Sequence, residues 1–209
     1  MLVRNKELYD AKATLQNLED RFNKNHAYPI LFLNDEYFTR EFMEEVRAIV
    51  SGNVSFGKIP SEEWSYPSWV DEDQAGASYR ALEEDNVIYG GSESYRHMCR
   101  FNSGFFFRHP LLDSYKWYWR VEPSTYMSCD VNYDPFTFMR ENNKRYGFVI
   151  TIHEYVKTIP TLWKTVKDFV DTDPSRLAAD NAIDWIVDDR KGLEGDYNMC
   201  HVSRTLRPN

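Results

Sequence analysis

Two arginines and a tyrosine lie close together in the segment SYRHMCR and could bind a phosphorylated ligand. Arg96 and Arg100 are four residues apart, so a helix would place both on one face with Tyr95 beside them. Guanidinium groups bind phosphate oxygens in a planar fork, and a tyrosine ring can stack on a ligand or hydrogen-bond to it. Considered alone, this segment is better explained as a helix that carries two solvated arginines, because exposed charge is the usual state.

Glu122 is the best candidate for a metal ligand. It follows the run WYWRV at the predicted carboxyl end of a buried strand, where a carboxylate is costly unless it meets a cation or strong donors. Mg²⁺ and Mn²⁺ prefer carboxylate oxygens, and such an ion would offset the charge of a diphosphate leaving group. A salt bridge between Glu122 and Arg120 explains the same sequence equally well.

The remaining acidic motifs are better explained as helix ends and turns. Asp71-Glu72-Asp73 and Asp171-Thr172-Asp173 have the DxD spacing of many metal sites. The first is predicted to open an exposed helix and the second to close one, and acidic residues commonly occupy such ends. Asp130 and Asp134 rank below Glu122 as metal ligands, because Asp and Asn in the segment CDVNYDP are typical of caps and turns.

The segments that must position these residues alternate between strand and helix patterns. Strands are predicted at 1–5, 30–33, 54–59, 115–123 and 146–152, and helices at 7–22, 39–50, the second half of 60–86, the first half of 92–107, 134–143, 160–169 and 180–187. This alternation predicts an α/β fold with a mostly parallel sheet flanked by helices. Ligands of such sheets bind beyond the carboxyl ends of the strands, where Arg4 is expected to follow the first strand. An arginine there could meet a diphosphate, but one such residue is uninformative alone.

Composition narrows the function classes. The 209 residues carry a net charge of -8, which argues against nucleic acid as a partner but still allows a small phosphorylated ligand at a locally basic site. No run approaches the roughly 18 apolar residues of a membrane span, so no membrane segment is expected in this chain. Asn53-Val54-Ser55 is an N-glycosylation sequon, which matters only if the chain enters the secretory pathway.

Four long strings together resemble one family closely. They are SYRHMCRFNSGFFFRHPLL (94–112), YWRVEP (118–123), CDVNYDPF (129–136) and TIPTLW (158–163). In these strings the chain resembles the fungal α-1,2-mannosyltransferases of glycosyltransferase family 15. The shorter strings LVRN, EDRFN, FLND and YNMCH follow in the family's order and extend the resemblance over nearly the whole chain.

The resemblance implies a GT-A-like, Rossmann-related fold, GDP-mannose as the donor, Mn²⁺ as the cofactor and transfer with retention to a mannoside acceptor of N- or O-linked glycans. Position by position, Glu122 matches the family's metal-binding glutamate, Tyr95 its donor-site tyrosine and Arg4 an arginine near the nucleotide phosphates. Arg96 and Arg100 complete the predicted donor-binding set. The family also implies a location in the Golgi lumen behind a type II membrane anchor, which this chain is expected to lack.

The chain departs from the family after YNMCH. There the family continues into an aromatic-rich segment with a glutamate near the reacting sugar carbon, whereas this chain has Val202–Asn209. No residue matches that proposed nucleophile, so no catalytic residue is identified. We therefore expect residues 1–201 to form a partial catalytic domain, incomplete at both ends, and residues 202–209 to form a non-family tail. The alternative function is a catalytically inactive nucleotide-binding remnant or a wrongly assembled gene fragment.

Overall fold

The computed structural model describes residues 1–153, 156–181, 183, 187, 199–202 and 206–208. The chain packs as two units, each built from separate stretches of sequence. The first unit comprises Met1–Glu72, Glu93–Phe148 and Arg204–Asn209, and the second comprises Asp73–Ser92 and Val149–Ser203. The domain boundary expected at residue 201 stays a prediction.

Parallel pairing at the start of the chain confirms the strands predicted at 30–33 and 54–59, whereas the strand predicted at 1–5 is reduced to a single bridge. β1 (Ile30–Asn34) pairs in parallel with β2 (Val54–Lys58). On the other side of β1, a parallel bridge joins Leu2 to Leu33. The unbroken apolar run of β1 suits this central position, because a strand with neighbours on both edges and helices on both faces exposes little to water.

Successive residues of β1 pack against different helices. Phe32 is fully buried in a cluster that includes residues of α1 (Leu8–Arg21) and α2 (Arg40–Arg47). The next residue, Leu33, packs with residues that include Phe101 of α4 (Glu93–Gly104). Because side chains alternate between the faces of a strand, this arrangement covers both faces of the sheet, as predicted.

The start of α2 confirms the predicted cap. The Thr39 hydroxyl oxygen accepts a hydrogen bond from the amide of Phe42 over 3.2 Å, which satisfies one of the unpaired donors of the first turn. Phe42 and Val46, four residues apart, are both fully buried. This spacing places the two side chains on the same inner face of the helix.

The aromatic run at 115–123 forms a shorter strand than predicted. β3 covers only Trp117–Trp119 and pairs antiparallel with β6 (Leu206–Pro208). The chain then turns, because the Thr125 hydroxyl donates to the carbonyl of Glu122 over 2.6 Å. The α/β class is thus confirmed. The described strands form three two-stranded sheets, one parallel and two antiparallel, and the partner of β3 lies in a segment where the sequence shows no pattern.

α5 (Pro135–Glu141) completes the helices of the first unit and lies within the predicted range 134–143. Asp134 is its N-cap and accepts a hydrogen bond from the amide of Phe136 over 3.0 Å. Pro135 follows at the first helical position, where its missing N–H costs nothing.

In the second unit, β4 (Ile150–His153) pairs antiparallel with β5 (Met199–Val202). The strand predicted at 146–152 therefore starts later and ends one residue further on, because β5 supplies only four partner residues. Lys157 forms an ion pair with Asp85 over 2.5 Å and so joins the two stretches of this unit.

The two described helices that reach into the second unit are α3 (Glu72–Glu84) and α6 (Leu162–Asp171), both predicted. Most of the helix predicted at 180–187 lies outside the described residues. None of the helices described is both long enough and apolar enough to cross a membrane.

Candidate functional site

Residues that follow the first parallel strands are held together by Asn5. Its side-chain amide donates to the carbonyl of Tyr37 over 3.0 Å, and its side-chain oxygen accepts from the amide of Thr39 over 3.0 Å. These two bonds fix the loop after the first strand to the loop after β1. The carboxyl edge of the sheet, where α/β proteins usually bind ligands, is therefore a defined surface.

Arg4 lies at this edge, as predicted, and its guanidinium group has a fixed orientation. It binds both carboxylate oxygens of Glu7, over 3.1 Å from Nε and 2.8 Å from its terminal nitrogen. Hydrogen bonding to Glu7 raises the pKa of Arg4, and the negative charge of Asp35 adds to this effect. Burial alone would raise the pKa of Glu7, but the bonds from Arg4 lower it. The Arg4 side chain remains 44% exposed and accessible to a ligand.

Three further residues at this edge were not singled out from the sequence. Lys58 ends β2 and lies 4.7 Å from the ring centroid of Tyr37, whose side chain is exposed. Asn34 ends β1, is 1% exposed, and neither polar atom of its carboxamide has a hydrogen-bond partner among the described residues. Their signal in the sequence was position, since each lies at or just after the carboxyl end of a predicted parallel strand.

Glu122 is half-buried and forms an ion pair with Arg120. The salt bridge that the sequence left open is therefore present. Burial lowers the pKa of the Met1 amino group to about 6, and the negative charge of Glu122 opposes that shift. Glu122 thus lies within electrostatic reach of the amino end of the first strand.

A metal ion would find few protein ligands in the described part of the chain. It contains no group of three or more His, Cys, Asp or Glu side chains arranged to hold one. Glu122 supplies one hard carboxylate oxygen donor. A single carboxylate fits Mg²⁺- or Mn²⁺-type ions that are held mainly by the phosphates of a bound nucleotide.

The predicted cluster on α4 is helical, and its arginines have specific contacts. Arg100 donates hydrogen bonds to the carbonyls of Glu62 and Ser65, over 3.2 and 3.1 Å, and its guanidinium carbon lies 4.6 Å from the ring centroid of Phe105. Arg96 lies over the ring of Tyr95 at 5.4 Å. Arg100 therefore anchors the loop before α3, and the donor-binding role of all three residues stays a prediction.

The other acidic motifs have the structural roles expected of them. Glu72 and Asp73 begin α3, and Asp171 ends α6. Asp173 caps a short 3₁₀ turn by accepting from the amide of Ser175 over 3.1 Å. Of the two second-rank candidates, Asp134 caps α5, whereas Asp130 forms an ion pair with Arg21 over 2.7 Å.

Comparison with known sequences identifies relatives over almost all of the chain. The sequence pattern of the glycolipid 2-alpha-mannosyltransferase family matches residues 1–207. The chain is 54% identical to glycolipid 2-alpha-mannosyltransferase 2 of Candida albicans, with 96% of this chain and 43% of that protein covered. It is 50% identical to alpha-1,2 mannosyltransferase KTR1 of Saccharomyces cerevisiae, with 96% of this chain and 50% of that protein covered.

Solved structures agree with these relatives. Core-mannan synthase A from Aspergillus fumigatus, in its Mn/GDP form, superposes with a TM-score of 0.92 at 37% identity and covers 99% of this chain and 57% of its own. The mannosyltransferase Ktr4p from S. cerevisiae in complex with GDP gives the same TM-score and identity, with 99% and 55% covered.

The chain spans about half the length of the curated relatives it matches. Its fold is that of these mannosyltransferase structures, as the GT-A-like prediction required. The chain therefore belongs to the glycolipid 2-alpha-mannosyltransferase family.

Proposed function

We propose that this chain forms the donor-binding part of an enzyme that transfers mannose from GDP-mannose to a mannoside acceptor. The acceptor belongs to N- or O-linked protein glycans, and the new linkage is α-1,2 with retained configuration. The observation that carries the proposal is the carboxyl edge of the parallel strands. Four side chains lie there, at or just after the ends of successive strands. They are the oriented guanidinium of Arg4, the cation of Lys58, the exposed ring of Tyr37, and the amide of Asn34, which has no hydrogen-bond partner among the described residues.

These residues suit a nucleoside diphosphate. Arg4 and Lys58 supply positive charge for phosphate oxygens, and Tyr37 offers a face on which a base or a sugar can stack. The amide of Asn34 can donate and accept hydrogen bonds that it does not make within the described chain. Two structural relatives carry GDP, one of them together with Mn, which supports a GDP-containing ligand for this family member.

Glu122 is the residue that would hold Mn²⁺. The bound ion would neutralise charge on the diphosphate as GDP leaves. Glu122 would hold the ion in place of its present ion pair with Arg120. The protein's own contribution is thus to hold this carboxylate half-buried and paired with an arginine that a metal ion could replace.

Membership of the family supports our proposals for the acceptor class and the compartment. The named relatives act on glycolipid or as α-1,2-mannosyltransferases, which supports a mannoside acceptor. We place the enzyme in the Golgi lumen, where such glycans are extended.

The proposal is tested by ligand-dependent thermal stability. GDP with Mn²⁺ at a hundredfold excess over Kd should stabilise the chain by about 2.7 kcal/mol, or roughly 5–10 °C in Tm. Mn²⁺ or GDP alone should give a smaller shift. Glu122→Gln should remove the Mn²⁺-dependent increment and leave the GDP-only shift. Glu141→Gln is the matched control, because Glu141 also pairs with an arginine but at 3.7 Å on the surface of α5.

A transfer assay completes the test. Labelled mannose from GDP-mannose is offered to a methyl mannoside acceptor, and the product is digested with an α-1,2-specific mannosidase. Mn²⁺-dependent product would support transfer, whereas GDP binding without product would support the inactive nucleotide-binding alternative. Absence of any GDP·Mn²⁺ shift in the unmodified chain would refute the proposed donor site.

A further inference from the structure

The sequon Asn53-Val54-Ser55 lies where β2 begins. Val54 and Phe56 pack against the buried cluster formed with α1 and α2. Because side chains alternate along a strand, Asn53 and Ser55 share the opposite face. The two residues that define an N-glycosylation acceptor are therefore presented on one surface, away from that cluster.

That surface is open at Asn53. The side chain is exposed, while the backbone carbonyl is held in the sheet by a 2.8 Å bond from the amide of Ile30. The segment that covers this face, His109 to Leu111, comes within contact distance at Gly57, four residues further along the strand. A bulky group on Asn53 thus has a fixed backbone beneath it, and the described part of the chain leaves this side chain exposed.

The position is also compatible with donor binding. Asn53 is at the amino end of β2, whereas the candidate site is at the carboxyl end, where Lys58 lies. Five residues of strand separate the two by roughly 16 Å. A glycan on Asn53 would extend from the end of the sheet opposite to the nucleotide.

We propose that Asn53 carries an N-linked glycan when the protein is made in the secretory pathway. The inference rests on the proposed Golgi location, and the glycan donor is a lipid-linked oligosaccharyl diphosphate. The side-chain nitrogen of Asn53 forms a bond to the sugar C1, and the bond from C1 to the diphosphate oxygen breaks. The lipid diphosphate leaves with the electron pair, and the amide proton passes to a base of the transferring enzyme.

The test uses the full chain behind a cleavable secretion leader in yeast, with a second, efficient sequon in a tag at the carboxyl end. The tag reports entry into the lumen, so its glycan separates failure of delivery from failure of Asn53. Intact mass before and after endoglycosidase treatment gives the number of glycans. We expect two on the unmodified chain, one on Asn53→Gln and Ser55→Ala, and two on Ser55→Thr, which keeps the hydroxyl.

A chain that carries the tag glycan but none on Asn53 would overturn the proposal. Failure of the Golgi assignment is distinguishable, because the added leader imposes the compartment in this experiment. The glycosylated and enzymatically deglycosylated chains should show the same GDP·Mn²⁺ stabilisation. A loss of that stabilisation in the glycosylated chain alone would contradict the placement of the glycan opposite to the site.

Discussion

Tyr28 donates a hydrogen bond from its hydroxyl to the carboxylate of Asp134 over 2.8 Å, although the two residues are 106 positions apart. Asp134 is also the N-cap of α5 and accepts from the hydroxyl of Thr137 over 2.7 Å. The ring of Tyr28 lies edge-on to Phe136, with 4.8 Å between centroids. One carboxylate thus joins the residues before β1 to the first turn of α5.

Removing this link should destabilise the first unit. Tyr28→Phe should lower the free energy of unfolding by about 1 kcal/mol and Asp134→Ala by about 1–2 kcal/mol, since the latter also loses the cap. The double variant should show a coupling energy of about 1 kcal/mol in urea unfolding. Asp130→Ala is the control, because its ion pair with Arg21 is largely exposed and should contribute little. Strictly additive losses would contradict a direct bond.

The pair of Tyr28 and Asp134 should also make the stability of the fold fall at both acidic and alkaline pH. Burial opposes the shift, but hydrogen bonds from Thr137 and Tyr28 lower the pKa of Asp134 below its usual 3.8. Its stabilising contribution is therefore present above about pH 4 and lost as pH falls through the folded-state value. Burial and the bond to Asp134 raise the pKa of Tyr28 from 10.0 to about 12, so stability falls between those values as pH rises.

Unfolding measured at a series of pH values checks both limits. Asp134→Asn should flatten the acidic decline, and Tyr28→Phe should reduce the alkaline decline between pH 10 and about 12. An unchanged alkaline profile in Tyr28→Phe would show that other groups cause that decline.

Replacing each of two glycines by alanine should change the free energy of unfolding in opposite directions. At Gly52, which follows α2, an added Cβ would lie 2.3 Å from the carbonyl oxygen of Tyr28, so Gly52→Ala should destabilise by about 1–3 kcal/mol. At Gly76 in α3 the nearest atom would be the end of the Arg80 side chain at 3.6 Å. Gly76→Ala should stabilise the helix by about 0.5–1 kcal/mol. Circular dichroism during denaturation measures both, and equal effects would contradict the steric argument.

Removal of Arg120 should free the carboxylate of Glu122. Arg120→Met keeps the aliphatic stem, and loss of an ion pair worth about 1 kcal/mol should strengthen binding of Mn²⁺ alone by about fivefold. Isothermal titration with Mn²⁺ measures this, with Arg140→Met as the surface control. Unchanged Mn²⁺ affinity would argue against Glu122 as the ligand.

Replacing Asn34 should make the fold more stable and should weaken GDP binding. Asn34→Val removes a buried polar group that has no partner in the described part of the chain, and it should raise the free energy of unfolding by about 1 kcal/mol. If the amide contacts the nucleotide, the stabilisation by GDP·Mn²⁺ should fall at the same time. A rise in stability with unchanged GDP binding would remove Asn34 from the candidate site.

Sequence patterns predicted those parts of the fold that are determined by residues close together in the chain. The apolar run of β1 and the Thr39 cap of α2 depend on neighbouring residues, and both were found as predicted. The end of β3 was not predictable in the same way, because strand length depends on a partner segment far along the chain.

Some residues of the candidate site could likewise be predicted from the sequence, and others could not. Arg4 could be predicted because it follows a strand, and Glu122 because a carboxylate stands out after an aromatic run. Asn34 was missed, since only tertiary packing shows that its amide is buried and lacks a partner among the residues that the structure describes. Arg100 gained a structural contact that the helix pattern could not show, because Glu62 and Ser65 approach it from another loop.

The division of the second unit between two stretches of sequence also affects synthesis. Asp85 and Lys157, which join them, are 72 residues apart, so at about 5–20 residues per second Asp85 is made roughly 4–14 s earlier. In that interval the 13 residues of α3 are too short to be stable alone. The ribosome therefore imposes an order in which the parallel strands at the start of the chain are complete while the second unit still awaits most of its chain.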